Sequence, residues 1–217
     1  MKNTVVYLIR HSTRFSNDLI ETYNTSQENI IKNEKIILSV EGEKRAEILS
    51  NEEELQNLDL VYTSNHVRTL QTAKYIIEKQ KLKVHIDERF DERKVGIPND
   101  KLVPNWLVLQ FKDENYKTVG GESQKEVRDR FYEAFNEIVE NNKGKRIAIF
   151  AHGYSILFFL LKWCKFIEIH SGKKLKMSFN DNILIDKEIN APEVFKLVLD
   201  SNNNPIEITN IEFDDLK

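Results

Sequence analysis

Only one cysteine, Cys164, occurs among the 217 residues. No intrachain disulfide can therefore form and no thiolate cluster can hold zinc. A lone thiol points to a reducing compartment, and we expect a cytoplasmic protein. Glycine is scarce at seven residues and proline at four, which excludes collagen-like repeats and flexible low-complexity architecture. Neither sign of charge dominates, since 32 Lys and Arg face 35 Asp and Glu for a net charge of -3. A nucleic-acid partner requires a basic excess to neutralise phosphates, so none is expected. Long apolar runs are also missing. The first, over 5–9, is too short for a leader core. The longest, over 156–161, stops at Lys162, far short of the roughly 20 residues that span a bilayer. No membrane association is expected.

What is present is 40% hydrophobic and 31% charged, enough to bury one sizeable core, and we expect a single domain over 1–217. Short β-branched apolar runs alternate with longer amphipathic stretches. Runs 5–9, 59–62 and 146–150 read as strands buried on both faces, with a weaker strand over 83–86. Apolar residues at three- and four-residue spacing predict helices over 41–55, 68–80, 123–141 and 154–166. Ser123 and Glu126 form a capping-box signature at the start of the third. Beyond Gly172 the pattern changes to strands over 182–185, 195–199 and 206–213, separated by turns such as 201–205. The expected fold is α/β: a three-layer sandwich whose central sheet is mostly parallel, with helices on both faces and the C-terminal strands at one edge.

Ligands of open α/β sheets sit beyond the carboxyl ends of the strands. Three such ends carry the right chemistry for one class of ligand. Arg10, His11, Ser12, Thr13 and Arg14 follow the first strand, Ser64 to Arg68 follow the second, and Ala151, His152 and Gly153 follow the strand at 146–150. Guanidinium forks and imidazole donors suit a phosphoryl dianion, and a neutral imidazole is a nucleophile toward phosphorus. A single His or Arg at a strand end is usually a surface or capping residue. Recurrence at three ends makes coincidence a poor explanation.

In these residues the sequence resembles the histidine phosphatase superfamily, also called phosphoglycerate mutase-like. Arg10, His11 and Ser12 with Asn17 resemble its opening signature, and Ser64, Arg68, Thr72 and Ala73 resemble its second motif. Phe90 to Gly96, with Glu92 four residues before the glycine, looks like its acidic motif. Gly120, Gly121, Glu122 and Ser123 resemble the segment before its long helix. Ser39 to Gly42 resemble its Leu-Thr-x-x-Gly turn, and Ala151, His152 and Gly153 its last motif.

The resemblance implies a phosphohistidine mechanism in two steps without metal or organic cofactor, acting on a small phosphorylated substrate. His11 would be the nucleophile. Arg10, Arg68 and His152 would bind the phosphoryl oxygens, and Glu92 would act as general acid and then base. Asn17, Ser12, Gly121, Glu122 and Gly153 are further candidate substrate contacts. Ser12 stands where the family has glycine, and Arg14 departs from the common pattern as an added contact for phosphate or for a second anionic group. Hydrolysis of phosphomonoesters is the expected activity. A mutase-type transfer uses the same chemistry but needs segments that close over the site, and the 23 residues between Gly96 and Gly120 are few for that. A non-catalytic phosphate-binding module is the remaining alternative.

Other candidates read as ordinary structure. His66, His85 and His170 lack partners at useful spacing and are expected at the surface or a strand edge. A metal held by His11, His152 and Glu92 would be repelled by Arg10 and Arg68. Cys164 fits the apolar face of a helix, Trp106 and Trp163 read as core or pocket wall, and Lys173, Lys174 and Lys176 as a solvated turn. The oligomeric state is not legible.

Overall fold

A computed structural model describes residues 2–15, 27–98, 102–170 and 174–216. Strand β1 (Thr4–Arg10) is followed by α1 (Gln27–Lys35), α2 (Val40–Leu49), β2 (Leu60–Thr63), α3 (Val67–Gln80) and β3 (Val84–Ile86). Helices α4 (Trp106–Lys112) and α5 (Gln124–Asn141) lead to β4 (Arg146–Ala151) and α6 (Gly153–Leu160). The chain closes with β5 (Lys165–His170), β6 (Lys174–Phe179), β7 (Asn182–Lys187), β8 (Glu193–Leu199) and β9 (Pro205–Ile211).

Six strands make the central sheet in the order β3-β2-β4-β1-β8-β9. The pairs β2/β3, β2/β4 and β1/β4 are parallel, whereas β8 runs antiparallel to β1 and β9 antiparallel to β8. Alternation along the strands separates two cores. Val6, Leu8, Ile147 and Ile149 face Val127, Phe131 and Phe135 of α5 and Ile156 and Phe159 of α6. Tyr7, Ile9, Ala148 and Phe150 face Leu49 of α2 and Ala73 and Ile76 of α3. The three-layer arrangement follows directly, because central strands buried on both faces need helices on both.

The helix ends show local causes. Ser39 caps α2 by accepting the Gly42 N–H at 3.0 Å, and Ser123 and Glu126 close the capping box on α5. The helix expected over 41–55 stops earlier, at Leu49. Ser50 Oγ donates to the Glu47 carbonyl at 2.6 Å and Asn51 Nδ2 to the same oxygen at 3.2 Å, and such side chains compete with the helical ladder. One turn of 3₁₀ helix (Glu53–Leu55) follows.

Four elements were not expected: α1, α4, β5 and β6. The helix expected over 154–166 ends at Leu160, and Lys165 and Phe166 already belong to β5. Periodicity alone could not separate a buried helix from the strand that follows it. Strand β7 also differs from expectation. It joins β5 and β6 in a separate three-stranded antiparallel sheet, while β8 and β9 form the hairpin at the edge of the main sheet. Leu175, Met177 and Ile185 of this second sheet share a core with α5 and α6. No described helix is long and apolar enough to cross a membrane.

Candidate active site

The order β2-β4-β1 brings the three telling strand ends side by side. Backbone bonds tie them together there: His11 N–H donates to the Ala151 carbonyl at 3.0 Å, and Ser64 N–H to the Phe150 carbonyl at 3.0 Å. The loop after β1 is further held by α2, since the Thr13 carbonyl accepts from Ser39 N–H at 3.0 Å. A side chain at position 42 would put a Cβ 1.9 Å from that carbonyl oxygen, which explains the glycine in the turn 39–42.

His11 and His152 are buried and meet edge to face, with ring centres 5.2 Å apart. His11 Nδ1 lies 2.7 Å from the Ser12 carbonyl oxygen. A carbonyl only accepts, so Nδ1 carries the proton and Nε2 keeps its lone pair. Burial, with Arg68 and Arg10 adding to it, holds the His11 pKa well below its ordinary value, and the ring is neutral at physiological pH. Burial and Arg68 do the same to His152. His152 Nδ1 accepts from Arg68 Nη2 at 3.2 Å, which leaves Nε2–H to donate to Ser64 Oγ at 2.8 Å. Ser64 Oγ passes the chain to Thr69 Oγ1 at 2.9 Å, which donates to the His66 carbonyl at 2.6 Å. Every hydrogen in this relay has one direction because it ends on a carbonyl.

The two arginines are anchored through their terminal nitrogens. Arg68 Nη1 donates to the Asn33 carbonyl at 2.7 Å, and Arg10 Nη1 to the carbonyls of Ile189 at 2.7 Å and Asn190 at 2.8 Å. Burial lowers both guanidinium pKa values, that of Arg68 to about 10, and Glu92 opposes the shift in each. Both remain cations at neutral pH. Arg10 Nε, Arg68 Nε and Ser12 Oγ are buried polar atoms without a hydrogen-bond partner among the described residues. Buried donors of this kind are costly unless something meets them, and the charges of both arginines act on His11.

Glu92 lies close enough for its charge to act on both arginines. Its Oε1 accepts from Arg93 N–H at 2.9 Å. The segment around it is braced from α5: Arg130 donates to the Arg89 carbonyl at 2.7 Å and to Glu122 Oε1 at 2.9 Å, and Lys94 N–H donates to Glu122 Oε2 at 2.8 Å. Gly121 sits against this segment so tightly that a Cβ would lie 2.7 Å from the Val95 carbonyl oxygen. Gly121 and Glu122, expected at the substrate, are thus placed as supports of the Glu92 segment. Gly153 opens α6, and a Cβ there would approach Arg10 Nε to 3.2 Å and Ile189 Cδ1 to 2.6 Å. Its contribution is room for the Arg10 guanidinium.

Ser12 is fully buried, donates its N–H to Thr72 Oγ1 at 2.9 Å, and is not among the residues with positive φ. The loop thus accommodates a side chain where the resemblance leads one to expect glycine. Arg14 is exposed, pairs its backbone with Leu38, and its charge acts on His11, Arg10 and Arg68. Asn17 lies outside the described residues.

His66 is a correction. It is 4% exposed and stacks edge to face on His152 with ring centres 4.4 Å apart, with Nδ1 3.3 Å from Asp91 Oδ1. Sequence spacing missed it because its partners, Asp91 and His152, are distant in the chain. Donor atoms of His66, Asp91 and His152 lie within 4.8 Å of one another. Both nitrogens of His152 are already committed, one of them to a guanidinium, so the set does not suit a cation. His85 stacks on Tyr62 at 5.0 Å, away from this cluster, and the side chain of His170 is outside the described set. Cys164 is buried, its thiol pushed up to about 12 by burial. Trp163 packs on Phe159 at 5.2 Å and Trp106 lies 5.3 Å from the Arg93 guanidinium. Lys174 and Lys176 pair with Asp186, and Lys173 falls outside the described residues.

Comparison with known proteins gives the family and the fold. The family model of the histidine phosphatase superfamily (branch 1) matches residues 6–185. The chain is 27% identical over 180 residues to a probable phosphoglycerate mutase GpmB of Yersinia enterocolitica, covering 79% of this chain and 80% of that protein. A mycobacterial glucosyl-3-phosphoglycerate phosphatase shares the fold with a TM-score of 0.69 at 18% identity, covering 98% of this chain and 99% of that one. So does a phosphoserine phosphatase variant from Entamoeba histolytica, with a TM-score of 0.63 at 16% identity and coverage of 99% and 98%.

Proposed function

The chain belongs to the histidine phosphatase superfamily (branch 1), and from that premise we propose that it hydrolyses phosphomonoesters through a phosphohistidine on His11. One observation carries the reading: a neutral His11 with its Nδ1 proton pinned to the Ser12 carbonyl stands among buried guanidinium groups whose Nε atoms are unmet. A phosphoryl dianion would meet those donors.

In the first step His11 Nε2 attacks phosphorus and the ester P–O bond breaks, with Glu92 donating a proton to the leaving oxygen. Arg10 and Arg68 stabilise the charge on the equatorial oxygens, preorganised by carbonyl anchors that need no rearrangement. His152, held by Arg68 and Ser64, packs against the nucleophile and limits its orientation. In the second step the Glu92 carboxylate takes a proton from water, the hydroxide attacks phosphorus, and the P–N bond breaks to release inorganic phosphate. The net reaction consumes one water, and no residue is altered.

The substrate is a small phosphorylated molecule, and Arg14 favours one that carries a second anionic group. The single thiol suits the cytoplasm. Parallel assays with p-nitrophenyl phosphate and with 3-phosphoglycerate plus a bisphosphoglycerate primer test the proposal. Phosphate release from the first, with an acid-labile phosphoprotein trapped on rapid quenching, is the expected result. Isomerisation of 3-phosphoglycerate without phosphate release would make the chain a mutase. Phosphate binding with neither reaction would make it a binding module.

A further inference from the structure

The catalytic candidates lie at the ends of β1, β2 and β4 and in the segment before α4. Arg10 is held from the segment between β7 and β8. Arg10 and Glu193 are direct partners in the antiparallel pairing of β1 with β8, so their side chains leave the same face of the sheet. No ion pair joins them. Between them lies the peptide group linking Ile189 to Asn190. Its N–H donates to Glu193 Oε2 at 2.5 Å, and its carbonyl oxygen accepts from Arg10 Nη1 at 2.7 Å.

We propose that Glu193 is a positioning residue for the phosphoryl site, acting on Arg10 through this one peptide group. The carboxylate sits at the N–H end of the peptide dipole and the guanidinium at its carbonyl end, an arrangement in which each hydrogen bond polarises the other. Glu193 is 3% exposed and is itself fixed, with Oε1 accepting from Asn210 Nδ2 at 2.6 Å and lying 3.2 Å from Lys187 Nζ. The negative charge of Glu193 also helps to keep Arg10 protonated against burial.

Separation by a peptide has a chemical purpose. A carboxylate bound directly to Arg10 would occupy the donors that a phosphoryl dianion needs and would repel that dianion. Neutral carbonyls take only Nη1 and leave Nε unmet. Residues 189–193 and Asn210 all lie beyond the stretch matched by the family model. The device therefore belongs to the C-terminal segment of this chain.

The inference rests on the proposed phosphatase reading, and a double-mutant cycle tests it. Glu193→Ala and Glu193→Gln are made in the wild-type and the Arg10→Ala backgrounds, with kcat and KM measured on p-nitrophenyl phosphate and inorganic phosphate affinity measured by calorimetry. Glu193→Ala should lower kcat/KM about tenfold in the wild type, the scale of a slightly misplaced group. It should change Arg10→Ala less than about twofold, because the group through which it acts is gone. Glu193→Gln keeps an acceptor for Asn190 N–H and should restore most of the loss. The same fold-loss in both backgrounds, or no loss in either, overturns the proposal. If Glu193→Ala does not fold, Asn210→Ala loosens the same carboxylate and should show a smaller loss that again depends on Arg10. Its equality in the two backgrounds is equally decisive. Should the wild type bind phosphate without turnover, the phosphatase reading fails, while the affinity cycle still judges Glu193.

Discussion

Strands β1, β2 and β4 end in side chains that face one another, whereas the segment between β7 and β8 meets the same site with its backbone. The first region contributes His11 and His152 from residues next to the ends of parallel neighbours, and Arg68 from the first turn of the helix that follows β2. The second contributes the carbonyls of Ile189, Asn190 and Ala191, which receive Arg10 and Arg45. A parallel sheet aligns strand ends by its register, so chemistry there needs only the right residue at the right offset. An antiparallel hairpin added beside β1 brings no such alignment of ends. It acts by covering the outermost parallel strand and fixing the arginine that leaves it.

This division can be broken most directly at His11. Replacement by Ala should lower turnover at least about a thousandfold while the protein still folds cooperatively, because in the proposed mechanism the imidazole is the nucleophile. Activity within tenfold of wild type would remove the strand-end region from the chemistry.

Glu92→Gln comes next, with a loss in kcat/KM, which reports the first step alone, of about a hundredfold or more on alkyl phosphates and a much smaller one on p-nitrophenyl phosphate, whose leaving group needs no proton. Equal losses on both would take the acid role from Glu92. Arg68→Ala should cost roughly 3 kcal/mol of transition-state stabilisation, read from kcat/KM, the scale of a single oxyanion donor. A change confined to KM would show that Arg68 binds the ground and transition states alike.

Acid stability sharpens the comparison further. His11 is held below the ordinary histidine value of 6.5 by burial and by Arg68 and Arg10. The unfolded chain thus takes up a proton near pH 6.5 that the folded chain refuses. Stability is full above that pH and is lost as the pH falls toward the folded value, by up to about 1.4 kcal/mol per pH unit for this group. Urea melts at pH 7.5 and 5.5 should show a smaller acid loss for His11→Ala than for the wild type. An equal loss would place the His11 pKa in its ordinary range.

Arg14→Ala should have the smallest effect, a few-fold loss on a simple monoester and a larger one on a substrate with an added carboxylate or phosphate. Unchanged kinetics on both would leave Arg14 as an exposed surface residue.

The strands at the heart of the sheet were readable because they are buried on both faces and therefore apolar throughout. The capping box at Ser123 and Glu126 marked α5 to within a residue. His11, Arg10 and His152 were readable because each stands at or beside a strand end, and Arg68 because it lies in the segment that follows one. His66 was misjudged as a surface residue, since burial against His152 and Asp91 depends on the crossing of β2, β4 and the segment after β3. Gly121 and Glu122 were expected as substrate contacts, whereas the bracing of the Glu92 segment by Glu122 depends on Arg130, a residue of α5. Helix α1, which anchors Arg68 through Asn33, had no apolar periodicity strong enough to declare it.

Local order is written in nearest-neighbour terms: apolar alternation, caps and strand-end residues act within a few positions, and the sequence by itself determined the α/β layering and the chemistry at the strand ends. Tertiary structure alone decided which nitrogen of His11 carries the proton, which donors of Arg10 and Arg68 stay open, and that Glu193 stands behind Arg10. Those properties arise from burial and from hydrogen bonds between residues as much as 180 positions apart, where no local pattern can register the pairing.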